Sequence, residues 1–160
     1  GLESESADAV IGEAMLTMQT ERGKRAIIAE AYRLLRAGGT YSIHELGLQP
    51  DDLPEPVKDE VRKALARSIK VNARPLTEKE WRELLESEGF EVLWSGKEPM
   101  ALLDRRRNLA DEGLGGVLRI LRNMLGNKDI RARVMNMKST FHKYSKELNG
   151  IAFVVRKPAK

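Results

Sequence analysis

A few polar and sulfur-bearing side chains, each at the end of an apolar stretch, are the candidates for chemistry in this sequence. They are Glu13, Met15, Met18, His44 and Glu45. Carboxylates and an imidazole can accept a proton or hold a polar ligand, whereas thioethers form adaptable apolar surface. Burying carboxylates and a histidine without partners costs desolvation energy. They are therefore either functional groups at a ligand site or solvated side chains at a loop mouth, and spacing alone does not decide.

Other kinds of site have little support in the sequence. The chain has no cysteine, and its two histidines, His44 and His142, lack a metal-ligand spacing. Gly38-Gly39 follows a predicted helix and precedes a strand, the reverse of the order in a phosphate-binding loop, and predicts a left-handed helix cap. The glycines at 113–116 have no strand leading into them. No metal site, phosphate loop or nucleophile elbow is predicted, and the catalytic residues stay unknown.

Alternating strands and helices must position these side chains. The predicted elements are a buried strand at 9–11, a helix over 20–36, a strand at 40–46, a helix over 57–69, a helix beginning at the Thr77/Glu80 capping box, a strand at 90–95, a helical stretch over 114–148 broken near 126–127, and a strand at 151–156. This order predicts an α/β domain with a mostly parallel sheet of about four strands. Ligands in such sheets sit beyond the carboxyl ends of the strands, which is where the candidates lie.

Charge is divided unevenly along the chain. Residues 1–100 contain 14 Lys/Arg and 19 Asp/Glu, a balance of −5, and residues 101–160 contain 14 and 5, a balance of +9. A basic half can bind nucleic acid or another acidic partner, but it is more often a solvated helix face. Aromatic residues are 5 % of the chain, and none interleaves with the basic cluster at 105–107, so nucleic acid is an unfavoured partner. No apolar run reaches the roughly 20 residues of a membrane span, which predicts a cytoplasmic protein with no membrane partner.

Four stretches together give a family resemblance. They are "ESADAVIGEAML", "YRLLRAGGTYSIHEL", "LTEKEWRELLESEGFEVLW" and "IAFVVRKP". The chain resembles the carboxyl half of class I S-adenosylmethionine-dependent methyltransferases, most closely the small-molecule type called methyltransferase type 11. The resemblance implies a partial Rossmann-like three-layer sandwich in one domain. Its strands would correspond to family strands 4-5-7-6 in spatial order, with the last strand antiparallel. Helical insertions would lie at about 55–70 and 114–148.

The resemblance also implies roles for the candidate residues. S-adenosylmethionine would be the cofactor and a small molecule the methyl acceptor. Glu13 and Ala14 would contact the cofactor, and Met15, Met18, His44 and Glu45 would lie at the acceptor. The family's glycine-rich loop after strand 1 and its acidic residue after strand 2 are missing from this sequence. We therefore expect a fragment that does not bind the cofactor with useful affinity by itself. We also expect it to self-associate through the unpaired edge strand of its sheet.

Two other functions remain open at this stage. One is a non-enzymatic α/β module that binds a partner through its sheet edge or its basic helices. The other is a nucleic-acid binder that uses Arg105–Arg107 and the following basic helix. A salt-dependent interaction with DNA or RNA would favour the second. The methyl acceptor and the atom methylated are not predicted.

Overall fold

The computed structural model describes residues 1–99 and 114–159, apart from 117, 120 and 124. The elements are β1 (Ala7–Glu13), α1 (Glu21–Leu34), β2 (Leu35–Leu48), α2 (Glu55–Ile69), β3 (Leu76–Thr77), α3 (Glu78–Ser87), β4 (Glu91–Pro99), α4 (Lys128–Lys143) and β5 (Leu148–Arg156). Residues described between 114 and 126 are also helical. Arg105–Arg107 lie outside the described residues.

The strands form one mixed sheet in the order β1-β2-β5-β4. β1 runs parallel to β2, whereas β5 is antiparallel to both of its neighbours, β2 and β4. This confirms the predicted α/β architecture and the predicted insertion of the last strand, antiparallel, between two earlier ones. The two-residue strand β3 pairs with the carboxyl end of β2 and adds a short fifth strand.

The core lies on one face of the sheet. Apolar side chains of β2 and β5 alternate inward, among them Ile43, Phe153 and Val155. Against them pack α1, through Ile28, and α3, through Trp81. The capping box predicted at the start of α3 is present, because Thr77 and Glu80 each accept a hydrogen bond from the other's backbone N–H. A second apolar cluster joins α2 to the ends of β2 and β5.

The opposite face of the sheet is exposed within the described part of the chain. Ile11, Ser42, Val154 and Trp94 lie across it on four neighbouring strands in register, and we call this group the open sheet face. Ile11 is 81 % exposed and Trp94 is 55 % exposed. The expectation of a buried strand at 9–11 is therefore wrong for Ile11 here. The strand forms, but among the described strands it lies at the edge of the sheet, and its side chains Ala7 and Val10 pack against the core.

Two predicted boundaries are also corrected. α1 ends at Leu34, and Leu35 is already extended, so Gly38-Gly39 does not cap the helix. Gly38 has a φ of 81° inside β2, where its N–H donates to the carbonyl of Lys157. Gly38 and Gly39 therefore form backbone hydrogen bonds with Lys157, the residue after β5. Leu35 is fully buried in the core as the first residue of β2.

The second helical stretch is shorter than its spacing predicted. α4 begins after Asn127, whose side chain accepts hydrogen bonds from the N–H groups of Asp129 and Ile130, and it ends at Lys143. Leu148 belongs to β5 and is fully buried. The helix itself buries no residue completely. Ile130, Val134, Met137 and Phe141 keep a helical spacing within α4. Leu148 continues that spacing, but it belongs to the sheet.

Candidate functional site

The carboxyl ends of β1 and β2 lie side by side because these two strands are parallel. Glu13 pairs in register with His44, and the histidine Nδ1 lies 3.4 Å from Glu13 Oε1. Both side chains are mostly exposed. The structure thus brings together a carboxylate and an imidazole that are 31 residues apart in sequence, at the edge where sheets of this type place ligands.

The chain leaves β1 through a sharp turn at Ala14. Its N–H donates to the carbonyl of His44 at 2.8 Å, and its φ is 53°. An alanine in this left-handed region is strained, at a cost of order 1 kcal/mol or more, and persists only where neighbouring contacts fix it. The next residues supply such contacts.

Glu45 fixes the loop that follows Ala14. One carboxylate oxygen accepts the N–H of Leu16 at 3.0 Å, and the other accepts the N–H and the hydroxyl of Thr17 at 3.0 and 2.6 Å. The Thr17 hydroxyl also accepts the N–H of Leu46. We call this group the Glu45–Thr17 clamp. Glu45 is only 3 % exposed, so its carboxylate contacts the loop rather than the open edge.

The clamp leaves the two methionines of the loop at the surface. Leu16 and Thr17 are buried, whereas Met15 and Met18, on either side, are exposed. The edge therefore presents Glu13, His44, Met15 and Met18 to solvent. The substrate role predicted for Glu45 stays a prediction, and the contacts in the structure give it a positioning role beneath the loop.

Two buried ionisable groups lie near the clamp. Burial raises the pKa of Tyr41 to about 12, and the nearby charge of Glu45 acts in the same direction. Burial, and then the positive charges of Arg74 and Arg62, lower the pKa of Lys24 to about 8. The Lys24 Nζ donates to the carbonyl of Arg74 at 2.8 Å, and the Arg74 N–H in turn donates to the carbonyl of Thr17. Segment 72–76 is thus tied to both the loop and α1.

Sequence reasoning missed Thr17, Lys24 and Arg74. A signal existed for Lys24, because it lies four residues before Ile28 and seven before Ala31, on the apolar face of α1. The ammonium of a lysine on such a face is either buried with the face or reaches solvent at its border. No local signal marked Thr17 or Arg74, because their partners lie 28 and 50 residues away.

The described residues form neither a metal centre nor a membrane-spanning helix. No group of three or more His, Asp or Glu side chains there is placed to hold a metal ion. Among the same residues, no helix has the length and apolar character needed to cross a membrane.

Sequence comparison gives limited information. No family model matches the chain. An uncharacterized protein of Haemophilus influenzae is 34 % identical over 155 residues, which are 97 % of this chain and 59 % of that protein. The chain thus spans somewhat more than half the length of this relative.

Solved structures show what the fold resembles. A provisionally assigned sarcosine dimethylglycine methyltransferase from Galdieria sulphuraria matches with a TM-score of 0.71 at 16 % identity, over 98 % of this chain and 55 % of that one. Phosphoethanolamine N-methyltransferase 2 of Haemonchus contortus, in complex with phosphomonomethylethanolamine and S-adenosylhomocysteine, matches with 0.62 at 18 %, over 99 % and 35 %. Geranyl diphosphate methyltransferase with sinefungin matches with 0.63 at 12 %, over 98 % and 49 %. The chain has the Rossmann-like α/β fold found in parts of these methyltransferases.

Proposed function

We propose that this protein takes part in S-adenosylmethionine-dependent methyl transfer to a small-molecule acceptor. The supporting observation is the sheet order β1-β2-β5-β4 with antiparallel β5 inside it. This is the order that the methyltransferase resemblance predicts for family strands 4-5-7-6. It agrees with the fold of the methyltransferase structures that the chain matches.

The residues at the carboxyl edge fit one side of such a cofactor. Glu13 offers an exposed carboxylate, Ala14 a tightly turned backbone, and Met15 and Met18 exposed apolar surface. When bound, S-adenosylmethionine supplies an electrophilic methyl group on a sulfonium. The glycine-rich loop of the family is missing from these 160 residues, so this chain contributes only part of the contacts.

The chain's own residues would orient the acceptor and accept a proton. Methyl transfer depends mainly on holding two reactants in line, and the clamped loop provides a fixed wall for that purpose. Where the acceptor must lose a proton, His44 is the base within reach of this edge. Glu13 lies 3.4 Å from its Nδ1 and can hold the ring in one orientation.

Cofactor binding tests the proposal directly. Calorimetry with S-adenosylhomocysteine should show binding by the longer Haemophilus influenzae relative and none of useful affinity by the 160-residue chain. Absence of binding by the relative would contradict methyl transfer. Micromolar binding by the 160-residue chain would show that it binds the cofactor without the family's glycine-rich loop, which would contradict the proposal that this chain supplies only part of the contacts.

The edge residues are tested in a form of the protein that binds S-adenosylmethionine. For an acceptor that must lose a proton, His44→Ala should lower the methyl-transfer rate by about 10²-fold through loss of a general base. Glu13→Gln should also lower the rate, because it weakens the contact that orients His44, and the thermal midpoint should stay the same in both variants. His142→Ala is the matched control, because His142 is exposed on α4 and remote in sequence from the edge. Equal rates in all three variants would show that Glu13 and His44 are solvent-exposed side chains with no role in the reaction.

A partner-binding module is the second candidate. The observation in its favour is the open sheet face, which exposes Ile11 on β1 and Trp94 on β4, the two outer strands of the order β1-β2-β5-β4. Large apolar side chains exposed on one face of a sheet are typical of an interaction site. Cofactor binding discriminates between the two candidates, because a module of this kind has no need of S-adenosylhomocysteine.

A further inference from the structure

A surface cavity of about 450 Å³ lies next to the clamped loop, between α1, α2 and the segment before β3. Its floor is fixed by hydrogen bonds on two sides. Arg74 donates its N–H to Thr17, and its carbonyl accepts from Lys24. The cavity is thus attached to the carboxyl edge of the sheet, although the site described above does not use it.

The cavity wall has an excess of positive charge. Its cations are Lys24, Arg62, Lys63 and Arg74, and its carboxylates are Glu21 and Glu80. Four positive charges thus line the cavity with two negative ones, and Arg62 also pairs with Asp59, 3.4 Å away and outside the cavity wall.

Both carboxylates are already engaged. Glu80 accepts hydrogen bonds from Thr77 N–H and from Lys58, and their effect on the pKa of Glu80 outweighs burial and lowers it. Glu21 pairs with Arg25, 3.3 Å away, outside the cavity. Neither carboxylate is therefore a full counter-ion for the cavity.

Lys24 is the best-defined of these cations. It is 2 % exposed, and its ammonium has three N–H donors. In the part of the chain that the structure describes, one donor meets the carbonyl of Arg74, and the ring of Trp81 lies 5.5 Å away. Burial and the positive charges of Arg74 and Arg62 disfavour this ammonium, and the charges of Glu45 and Glu21 offset them only in part. An added anion would therefore stabilise the group.

We propose that this cavity binds a dianionic group of the size of phosphate, such as the phosphate monoester of a small molecule. The excess of two positive charges matches a dianion better than a single carboxylate. Guanidinium groups of Arg62 and Arg74 can each give two parallel hydrogen bonds to such an oxyanion, and Lys24 adds a point charge from below. The inference depends on the charges of this cavity and is independent of methyl transfer.

Titration of the 160-residue chain with inorganic phosphate tests the site. Binding is followed by calorimetry and by amide NMR shifts near neutral pH, with chloride adjusted to constant ionic strength. We expect saturable shifts at residues 72–76 and at Thr17, and weaker binding of acetate. Absence of saturation, or equal affinity for acetate, would overturn the proposal.

Charge-removing variants locate the site. Arg62→Gln and Arg74→Gln should each weaken phosphate binding by about tenfold or more. Arg67→Gln removes the same charge from the same helix, outside this cavity, and should change affinity by less than about twofold. Both test arginines reach the surface, so the fold should tolerate their loss, and the thermal midpoint checks this. Equal weakening by all three variants would show a diffuse charge effect and would refute the site.

Discussion

Glu45 accepts three hydrogen bonds from a loop that begins at the strained residue Ala14. A glutamine in its place keeps the size but replaces one acceptor oxygen by an NH₂ group. That group would face a buried donor, and a buried donor left without an acceptor costs about 1–3 kcal/mol.

We therefore predict that Glu45→Gln lowers the free energy of unfolding by about 2 kcal/mol and speeds hydrogen exchange at Leu16 and Thr17. Glu86→Gln, on the exposed side of α3, should change stability by less than about 0.5 kcal/mol. Chemical denaturation and amide exchange measure both quantities. Unchanged exchange at the two amides would mean that the loop is held by other contacts.

Lys24 predicts a pH dependence with a defined sign. Its pKa is about 8 in the folded chain and 10.5 in the reference state. Below about pH 8 both states are protonated, and the cost of burying the charge is fully present. Between about pH 8 and 10.5 the unfolded chain binds more protons, so stability rises with pH.

Replacing Lys24 by methionine removes this titration. Between about pH 7 and 9.5 the original chain should gain about 2 kcal/mol of stability relative to Lys24→Met, measured by urea unfolding. Tyr41, whose pKa is raised by burial from 10.0 to about 12, lowers the stability of both chains between about pH 10 and 12 and cancels in the difference. Lys79→Met, at an exposed position, should show no such gain. A constant difference between Lys24→Met and the original chain across this range would contradict the assignment.

At the scale of elements, α3 is the helix that the sequence defines best. Its apolar residues Trp81, Leu84 and Leu85 have the spacing of one helical face, and all three are buried. We predict that Leu84→Ala lowers the free energy of unfolding by about 2–5 kcal/mol. Glu83→Ala, next to it but exposed, should change it by less than about 0.5 kcal/mol. Similar shifts of the two denaturation midpoints would refute the assigned face.

Helices and strands were predictable where the capping residues and the apolar spacing indicate the same boundaries. In α3 the capping box and the apolar spacing define the same helix, and the structure confirms both. At the end of α1 they conflict, because Leu35 continues the helical spacing of Ile28 and Ala31. The core buries Leu35 as the first residue of a strand instead. Apolar spacing predicts that a side chain is buried, but it does not determine whether that residue lies in a helix or in a strand.

The site was predictable only in part for a related reason. Strand ends indicated Glu13 and His44, since parallel strands bring their carboxyl ends to one edge. The function of Glu45 in the clamp depends on Thr17, 28 residues earlier, and no local pattern reports a contact across that separation. Lys24 was readable from its place on an apolar face, but its electrostatic neighbours Arg62 and Arg74 come from other segments.

At the scale of the whole molecule, the open sheet face and the edge of β1 that no other described strand pairs with predict self-association. An edge strand has unpaired backbone groups on one side, and identical edges can pair about a two-fold axis. We predict a mass above 18.0 kDa by light scattering at tens of micromolar. A monomer with protected amides at residues 9–11 would contradict this prediction.

A charge at Ile11 should disperse the assembly. Ile11→Lys places an ammonium on the edge strand β1 of the open sheet face and should raise the monomer fraction. Leu2→Lys is the matched control, because Leu2 is equally apolar and exposed but lies near Arg33 at the end of α1, away from that face. Equal dispersal by both variants would show that net charge, and not the face, controls association.

The central place of β5 has a consequence for synthesis. This strand is the last of the sheet along the chain, yet it lies between β2 and β4, and its side chains Ile151, Phe153 and Val155 fill the core. While a ribosome is still translating the residues before β5, strands β2 and β4 lack the partner that they share. The side chains that will form the core then remain exposed to water. The sheet must therefore fold after its last strand leaves the ribosome, and until then the nascent chain is a natural client for chaperones.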